Sequence, residues 1–298
     1  MGKIYEIQFE IETKCMLNCI HCSSLEGREL SGIKYQEDDI LNMIGLFDGD
    51  TYITFTGGEP LLNNKILGLI RKLDSKRISI YTSGNLNGFK PIDKILAYKL
   101  KEYGVSECYF SIYSILYSAH DQFTNTSGSL KNTLESIENL NKYGIEVKAH
   151  VVLTRQNINY IDDVIKFCER HEFKEVRILK LAQAGSAKSN WNILNIPIED
   201  QNIKLKEINQ NRNNFNINIT IAGYPEIYPC RSFVGAKGCQ AGTNLLYVDA
   251  IGDIYPCACT KSNKKKYKIC NIKELDKIKR YIDDMDNFHC WEKCLGSI

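Results

Sequence analysis

The sequence predicts an α/β fold built on a parallel sheet, and three observations carry that expectation. From the start of the chain to about residue 182, short β-branched or aromatic runs alternate with amphipathic helical stretches. The units repeat at roughly thirty residues, the length of a strand with its crossover helix. Gly104 and Gly144 each follow a helical stretch, where a left-handed residue closes a helix. Strands are expected at residues 4–11, 51–56, 77–82, 107–111, 145–153 and 175–181, with helices at 37–47, 64–73, 92–103, 130–143 and 158–171. Six such units are too few for a closed eight-stranded barrel, so an open, partial barrel is expected. Ligands then gather beyond the carboxyl ends of the strands.

Residues 183–229 read as a bridge, with a helix near 199–209 and an alternating strand at 215–221. From 230 to 298 the pattern changes to a hairpin, an Asn/Lys-rich loop, one helix and a Cys-bearing tail, read as a small second domain after the barrel of residues 1–182.

Composition narrows the class. Hydrophobic residues make up 43% of 298, enough for a sizeable core. No run approaches the eighteen or so apolar residues of a membrane span, and the opening Met1-Gly2-Lys3-Ile4-Tyr5-Glu6 lacks a signal-peptide core. The expectation is a cytoplasmic protein without a membrane partner. A net charge of +2 speaks against a nucleic-acid surface, and Lys264-Lys265-Lys266 reads as a solvated loop. Twelve Cys without an export signal favour metal or redox chemistry over disulfides. Three lie near the N-terminus and seven at or beyond Cys230, leaving Cys108 and Cys168 as buried, inert thiols.

The N-terminal group is Cys15, Cys19 and Cys22, in Cys15-Met16-Leu17-Asn18-Cys19-Ile20-His21-Cys22, just past the first strand. Three thiolates on so short a loop converge on one soft metal centre. Zinc would want a fourth protein ligand. A cubane iron–sulfur cluster held by three Cys keeps one iron open for chemistry.

This CxxxCxxC spacing, with His21 before the last Cys, resembles the signature of the radical S-adenosylmethionine (SAM) enzymes. The resemblance implies a partial (β/α)6 TIM-like barrel and a 4Fe–4S cluster whose open iron is chelated by SAM. It also implies reductive cleavage of SAM to methionine and a 5′-deoxyadenosyl radical that abstracts a hydrogen atom from substrate, with His21 packed against cluster or adenine. Phe55-Thr56-Gly57-Gly58-Glu59-Pro60, at the end of the second strand, resembles the family's GGEP motif, so Gly57, Gly58 and Glu59 are expected at the SAM amino group. Ser83 and Ser111 are expected near SAM polar groups, and Arg155, after the fifth strand, at the SAM carboxylate. Turn chemistry is the plain reading of the two serines, and a solvated helix start that of Arg155. The segment from His120-Asp121 to Gly128-Ser129-Leu130 resembles one common among peptide-modifying members.

A second group follows. Leu246, Val248 and Ile254 flank a turn at Gly252, a hairpin that brings Cys239 and Cys257 to one end. Cys290 and Cys294 stand one helical turn apart. The pattern resembles the auxiliary-cluster domain called SPASM or, when shortened, twitch, and implies one auxiliary 4Fe–4S cluster on Cys239, Cys257, Cys290 and Cys294. Structural zinc is the rival. Cys230 is a substitute ligand, Cys270 a structural thiol, and Cys259 a candidate hydrogen-atom donor to a substrate radical. Tyr113, Tyr117 and Arg177 read as packing and salt-bridge residues near the barrel mouth.

The resemblance implies hydrogen abstraction from a peptide, leading to epimerisation or to thioether or carbon–carbon cross-linking, with a reductase such as flavodoxin or ferredoxin as electron source. Cys15 comes so early that leader recognition is expected from the barrel, the bridge or a separate leader-binding protein. A small molecule or a cofactor or haem precursor is the alternative substrate. A non-catalytic iron–sulfur or zinc protein is the alternative of another class.

Overall fold

The computed structural model describes residues 4–24, 32–73, 76–224 and 239–285. Among the described residues nine strands form one sheet: β1 (Ile4–Glu12), β2 (Asp50–Gly57), β3 (Arg77–Thr82), β4 (Val105–Ser111), β5 (Glu146–Leu153), β6 (Glu175–Lys180), β7 (Asn218–Ala222), β8 (Leu245–Val248) and β9 (Ile254–Tyr255). Their spatial order is β7-β6-β5-β4-β3-β2-β1-β8-β9. All neighbours are parallel except β8 and β9, the expected hairpin, which pair antiparallel through Tyr247↔Tyr255 and Val248↔Ile254. Between strands run α1 (Glu37–Ile44), α2 (Ile66–Lys72), α3 (Lys94–Glu102), α4 (Tyr117–Thr124), α5 (Ser129–Lys142) and α6 (Ile161–Arg170). Short α7 (Ser186–Ser189) and α8 (Trp191–Leu194) precede α9 (Ile198–Gln210). Short α10 (Lys264–Tyr267) and α11 (Leu275–Asp284) follow the hairpin. The six expected strand–helix units are present, giving the partial barrel.

Two sheet neighbours lie outside that series. β7, from the bridge, pairs with β6. β8 runs parallel to β1 through Glu6↔Leu245 to Phe9↔Val248, so the first strand is flanked by β2 and by a strand about 240 residues distant. The loop expected at Lys264–Lys266 is helical, because Asn263 carbonyl accepts from Lys266 and Tyr267.

The strands alternate strictly. Tyr5, Ile7, Phe9 and Ile11 of β1 enter the apolar core under the helices. Glu6, Gln8 and Glu10 point to the opposite face and are also buried. The same period runs through β3 (Ile78, Ile80 against Ser79, Tyr81), β4 (Cys108, Phe110 against Glu107, Tyr109), β5 (Ala149, Val151 against Lys148, His150) and β6 (Val176, Ile178 against Glu175, Arg177). One face of the sheet is a conventional core, and the other lines a lumen where these polar groups stand among apolar ones such as Ile4, Val152 and Leu179. Cys108 and Cys168 are fully buried, and desolvation drives both thiols far above their usual range, as inert core cysteines require.

Gly104 and Gly144 sit past α3 and α5 with φ of +97° and +70°, the left-handed closure expected from their positions. Helix α5 starts on a cap supplied from α4. The Asp121 carboxylate accepts from Gly128 N–H (2.6 Å), Leu130 N–H (3.2 Å) and Ser129 Oγ (2.8 Å). His120, buried behind it, is within hydrogen-bond distance of Ser129 Oγ at Nδ1 and of the Ser111 carbonyl at Nε2. Among the described residues no helix is long and apolar enough to cross a membrane.

Phe9 is fully buried between sheet and helices. Phe9→Ala should therefore cost about 3–5 kcal/mol, read as a lower urea midpoint at unchanged slope.

Candidate functional site

The loop carrying Cys15, Cys19 and Cys22 leaves the carboxyl end of β1 and is gripped from three sides. On the first side, Gly58 N–H donates to the Glu12 carbonyl (2.8 Å) and Glu59 N–H to the Lys14 carbonyl (2.7 Å). A Cβ on Gly57 would lie 2.2 Å from the Glu12 carbonyl oxygen, and one on Gly58 2.2 Å from that of Lys14. The two glycines are thus needed for backbone-to-backbone approach. On the second side, Asn18 and Ile20 N–H donate to the Thr124 and Phe123 carbonyls at the end of α4. On the third, Ser186 N–H donates to the Cys22 carbonyl (2.9 Å) and Asn190 Nδ2 to the Ile20 carbonyl (2.9 Å). Gly185 (φ +52°) passes so close that a Cβ would lie 2.2 Å from the Cys22 carbonyl oxygen.

Beneath the loop, Tyr113, Phe123, Ala187 and Leu194 form a satellite apolar cluster, with Ile20 packed against it. His21 lies in it, its ring 4.8 Å from both Tyr113 and Phe123 and its Nε2 3.1 Å from the Tyr113 hydroxyl. Desolvation pushes the imidazole down to about 3, so it is neutral. Burial raises the Tyr113 hydroxyl, and the charges of Cys19, Cys22 and Cys15 raise it further. Among the described residues, no three His, Cys, Asp or Glu side chains close tightly enough to grip a single metal ion. A cubane, in which each thiolate binds a different iron, does not need that closure, and the donor set of three thiolates on a pinned loop fits it.

Glu59 is wholly buried, and its carboxylate turns towards the end of β3. It accepts from Thr82 Oγ1 (2.7 Å), Ser83 N–H (2.8 Å) and Ser83 Oγ (2.8 Å). Desolvation raises its pKa against those bonds. Glu59 therefore fixes Ser83, whose own side chain is engaged by it. The Ser111 side chain counters the rise in the Tyr113 hydroxyl, and its carbonyl lies beside His120. Arg155 is exposed, with Nε and NH2 both 3.1 Å from the Asn195 carbonyl, and it does not line the cavity described next.

A cavity of about 370 Å³ opens beside the loop. His21, Ser23 and Ser24 form one wall, and Cys239, Cys257 and Cys259 another. Glu6, Gln8, Tyr81, His150 and Arg177 line it along the strands. Gln8 Nε2 donates to Glu6 Oε1 (2.9 Å), and His150 stacks on Tyr109 at 4.5 Å. Arg177 donates to Glu175 and to the Tyr109 hydroxyl (2.9 Å), so it both faces the cavity and keeps its expected salt bridge. Tyr113 is packing, and Tyr117 is 52% exposed on the surface. Neighbouring Cys259 holds the Cys257 thiol below its usual range, against burial and the charge of Cys239. Cys270 is buried apart from this wall, its thiol raised to about 11 by burial. Cys230, Cys290 and Cys294 lie outside the described residues.

One more interaction joins the two walls. Glu10 accepts from Lys261 Nζ, the Tyr247 hydroxyl and Ala250 N–H (2.9 Å). Burial opposes its ionisation, but Lys261 and these bonds outweigh burial and hold it below the usual carboxylate range. Glu10, Lys261, the lumen residues Glu6, Gln8, Tyr81 and His150, and the segment Gly185–Asn190 were not singled out from sequence. The alternating acids and amide at 6, 8 and 10 of β1 are the signal that exposes the first group.

A parallel barrel whose first strand delivers a pinned three-cysteine loop to a chamber walled by further cysteines defines a metal-cluster enzyme. The Radical SAM superfamily model matches residues 10–168, more than half of the chain, and the chain belongs to that superfamily. It is a SAM-dependent iron–sulfur enzyme, with SAM and a 4Fe–4S cluster as its cofactors. The chain is 25% identical over 277 residues to the AdoMet-dependent heme synthase of Nitratidesulfovibrio vulgaris, spanning 84% of this chain and 72% of that one. It is 25% identical over 269 residues to the mycofactocin maturase MftC of Mycolicibacterium smegmatis, spanning 84% of this chain but only 63% of the relative. In structure it resembles Streptococcus suis SuiB bound to the precursor peptide SuiA, with a TM-score of 0.70 over 95% of this chain and 66% of that one. At 18% identity that likeness speaks for the fold.

Gly58→Ala should force the GlyGlyGluPro turn off the cysteine loop. The expected result is loss of most iron on anaerobic reconstitution, with far-UV circular dichroism retained.

Proposed function

We propose that this radical SAM enzyme abstracts a hydrogen atom from a peptide held in the 370 Å³ cavity, as the first step of epimerisation or of thioether or carbon–carbon cross-linking. The observation that carries this reading is the cavity itself, in which the wall beside the catalytic loop faces the wall of Cys239, Cys257 and Cys259. The cluster and SAM, when bound, supply the carbon radical, and the protein supplies binding, orientation and exclusion of water. Cys15, Cys19 and Cys22 hold the catalytic cluster, and Gly57, Gly58, Ser83 and Ser111 border SAM. Glu59 contributes by holding Ser83, and His21, neutral and clasped by Tyr113 and Phe123, presents a ring edge rather than a proton. Arg155 remains the proposed SAM carboxylate partner only if its guanidinium leaves the Asn195 carbonyl.

The segment 230–298 is read as a twitch or shortened SPASM domain with one auxiliary 4Fe–4S cluster, ligated by Cys239, Cys257, Cys290 and Cys294. A flavodoxin or ferredoxin would deliver the electron. The barrel of residues 1–182, the bridge of 183–229 or a separate protein would bind a leader. A reducing, cytoplasmic location suits a chain whose Cys serve metal and redox chemistry. Support for a peptide comes from the similarity to a maturase and to a peptide-binding fold neighbour. The haem-synthase relative, matched over a larger share of its own length, favours a cofactor or haem precursor as the second reading.

Cys259 is the proposed donor in an epimerisation. Its S–H bond breaks as a C–H bond forms on the substrate radical, and the thiyl sulfur is restored by one electron and one proton from the external reductant.

Anaerobic reconstitution should give about eight irons per chain, and the Cys15/Cys19/Cys22→Ala variant about four with 5′-deoxyadenosine production lost. Undiminished cleavage in the variant would sink the reading. About four irons together with zinc in the native chain would make the C-terminal site structural. Cys259→Ala should leave 5′-deoxyadenosine formation intact while abolishing epimer yield; an unaltered yield removes it as donor.

A further inference from the structure

The pair Glu10–Lys261 joins the two cysteine walls. Glu10 stands on β1 five positions before Cys15, and Ser24 two positions after Cys22. Lys261 stands two positions after Cys259, within the 3₁₀ helix Ala258–Ser262 that is capped by Cys257. The ammonium donates to all the flanks at once: Glu10 Oε1 (2.5 Å), the Tyr247 hydroxyl (3.2 Å) and Ser24 Oγ (3.4 Å). It also lies 5.3 Å over the Tyr247 ring. Glu10 Oε2 takes the Ala250 N–H on the far side of β8, and the Glu10 carbonyl takes the Tyr35 hydroxyl (2.7 Å). Both charged side chains are buried, 5% exposed for Glu10 and 12% for Lys261.

Burying such a pair adds little stability that a well-packed apolar pair would not, because desolvation offsets the attraction. What it adds is direction, since each proton of the ammonium has one fixed acceptor. An apolar contact could slide without penalty, whereas this one cannot. Sequence spacing places the anchored points beside the cysteines of both walls, and Ser24, Tyr247, Cys257 and Cys259 all border the cavity.

We propose that Glu10–Lys261 is a positioning pair that sets the separation and orientation of the Cys257–Cys259 turn relative to the Cys15–Cys22 loop. The functional sense of this rests on reading the cavity as the reaction chamber; the mechanical claim does not.

The test uses anaerobically reconstituted full-length protein, comparing wild type with Lys261→Met, Lys261→Arg and Glu10→Gln. Hydrogen exchange read by mass spectrometry should accelerate about tenfold together in peptides covering 15–24 and 247–262 in Lys261→Met, with Lys261→Arg close to wild type. The electron paramagnetic resonance spectrum of the dithionite-reduced cluster with SAM should change in Lys261→Met and be restored in Lys261→Arg. Faster exchange confined to residues 257–262, or an unchanged spectrum with only a lower thermal midpoint, would overturn the proposal. If Lys261→Met does not fold, Glu10→Gln decides, because it keeps one acceptor oxygen but removes the charge and puts an NH2 donor where a second acceptor stood. Its exchange must rise in both segments, and a rise in neither overturns the pair. Wild-type protein that forms no 5′-deoxyadenosine defeats the reading of the chamber, while the exchange comparison still decides the pair.

Discussion

The structure depends on one close approach, in which the turn after β2 lies backbone to backbone on the start of the cysteine loop. Gly58 and Glu59 N–H donate to the Glu12 and Lys14 carbonyls at a separation that no side chain on Gly57 or Gly58 permits. The loop has no regular secondary structure, so its shape is dictated from outside. The Gly57–Gly58 turn fixes its start, the end of α4 its middle, and the Gly185–Asn190 segment its end. Glu59 then carries the constraint onward, since its buried carboxylate joins the same turn to the end of β3 and to Ser83. A loop held this way can present three sulfurs without spending the entropy of ordering them when a cluster arrives.

The second constraint is the two-faced sheet. A parallel sheet covered by helices on both faces is ordinarily apolar throughout. Here only one face is, and the other carries Glu6, Gln8, Tyr81, His150 and Arg177 into an enclosed space. Those groups are buried but satisfied: Glu175 and Tyr109 engage Arg177, and Glu6 engages Gln8. Satisfied polar groups in low dielectric are rigid, which makes the lumen a shaped surface.

Much of this was legible in the sequence, because the signals were local. The strand and helix periodicity, the capping glycines and the hairpin turn at Gly252 were each readable within a dozen residues and stand where they were expected. The cysteine loop and the GlyGlyGluPro turn were equally visible, though the glycines turned out to serve a chain-to-chain approach as well as any ligand. What stayed hidden is what depends on distant partners. Nothing near residue 185 announces that a glycine there must pass under Cys22, and nothing near Lys261 names Glu10 as its acceptor. The contact of Arg155 with a carbonyl forty residues away was equally hidden. The polar stripe of β1 was readable in principle, but a strand search attends to its apolar residues and passes over the others.

The pairing of β8 with β1 bears on how the protein is made. The first strand emerges from the ribosome early, together with its cysteine loop, yet one of its two sheet partners is synthesised about 240 residues later. Until that strand docks, β1 has an open edge and the loop beside it an uncovered flank. Closure of so distant a contact is slow, because a long loop must be ordered before the pairing repays it. During that interval the unpaired β1 edge is a template for pairing with another chain.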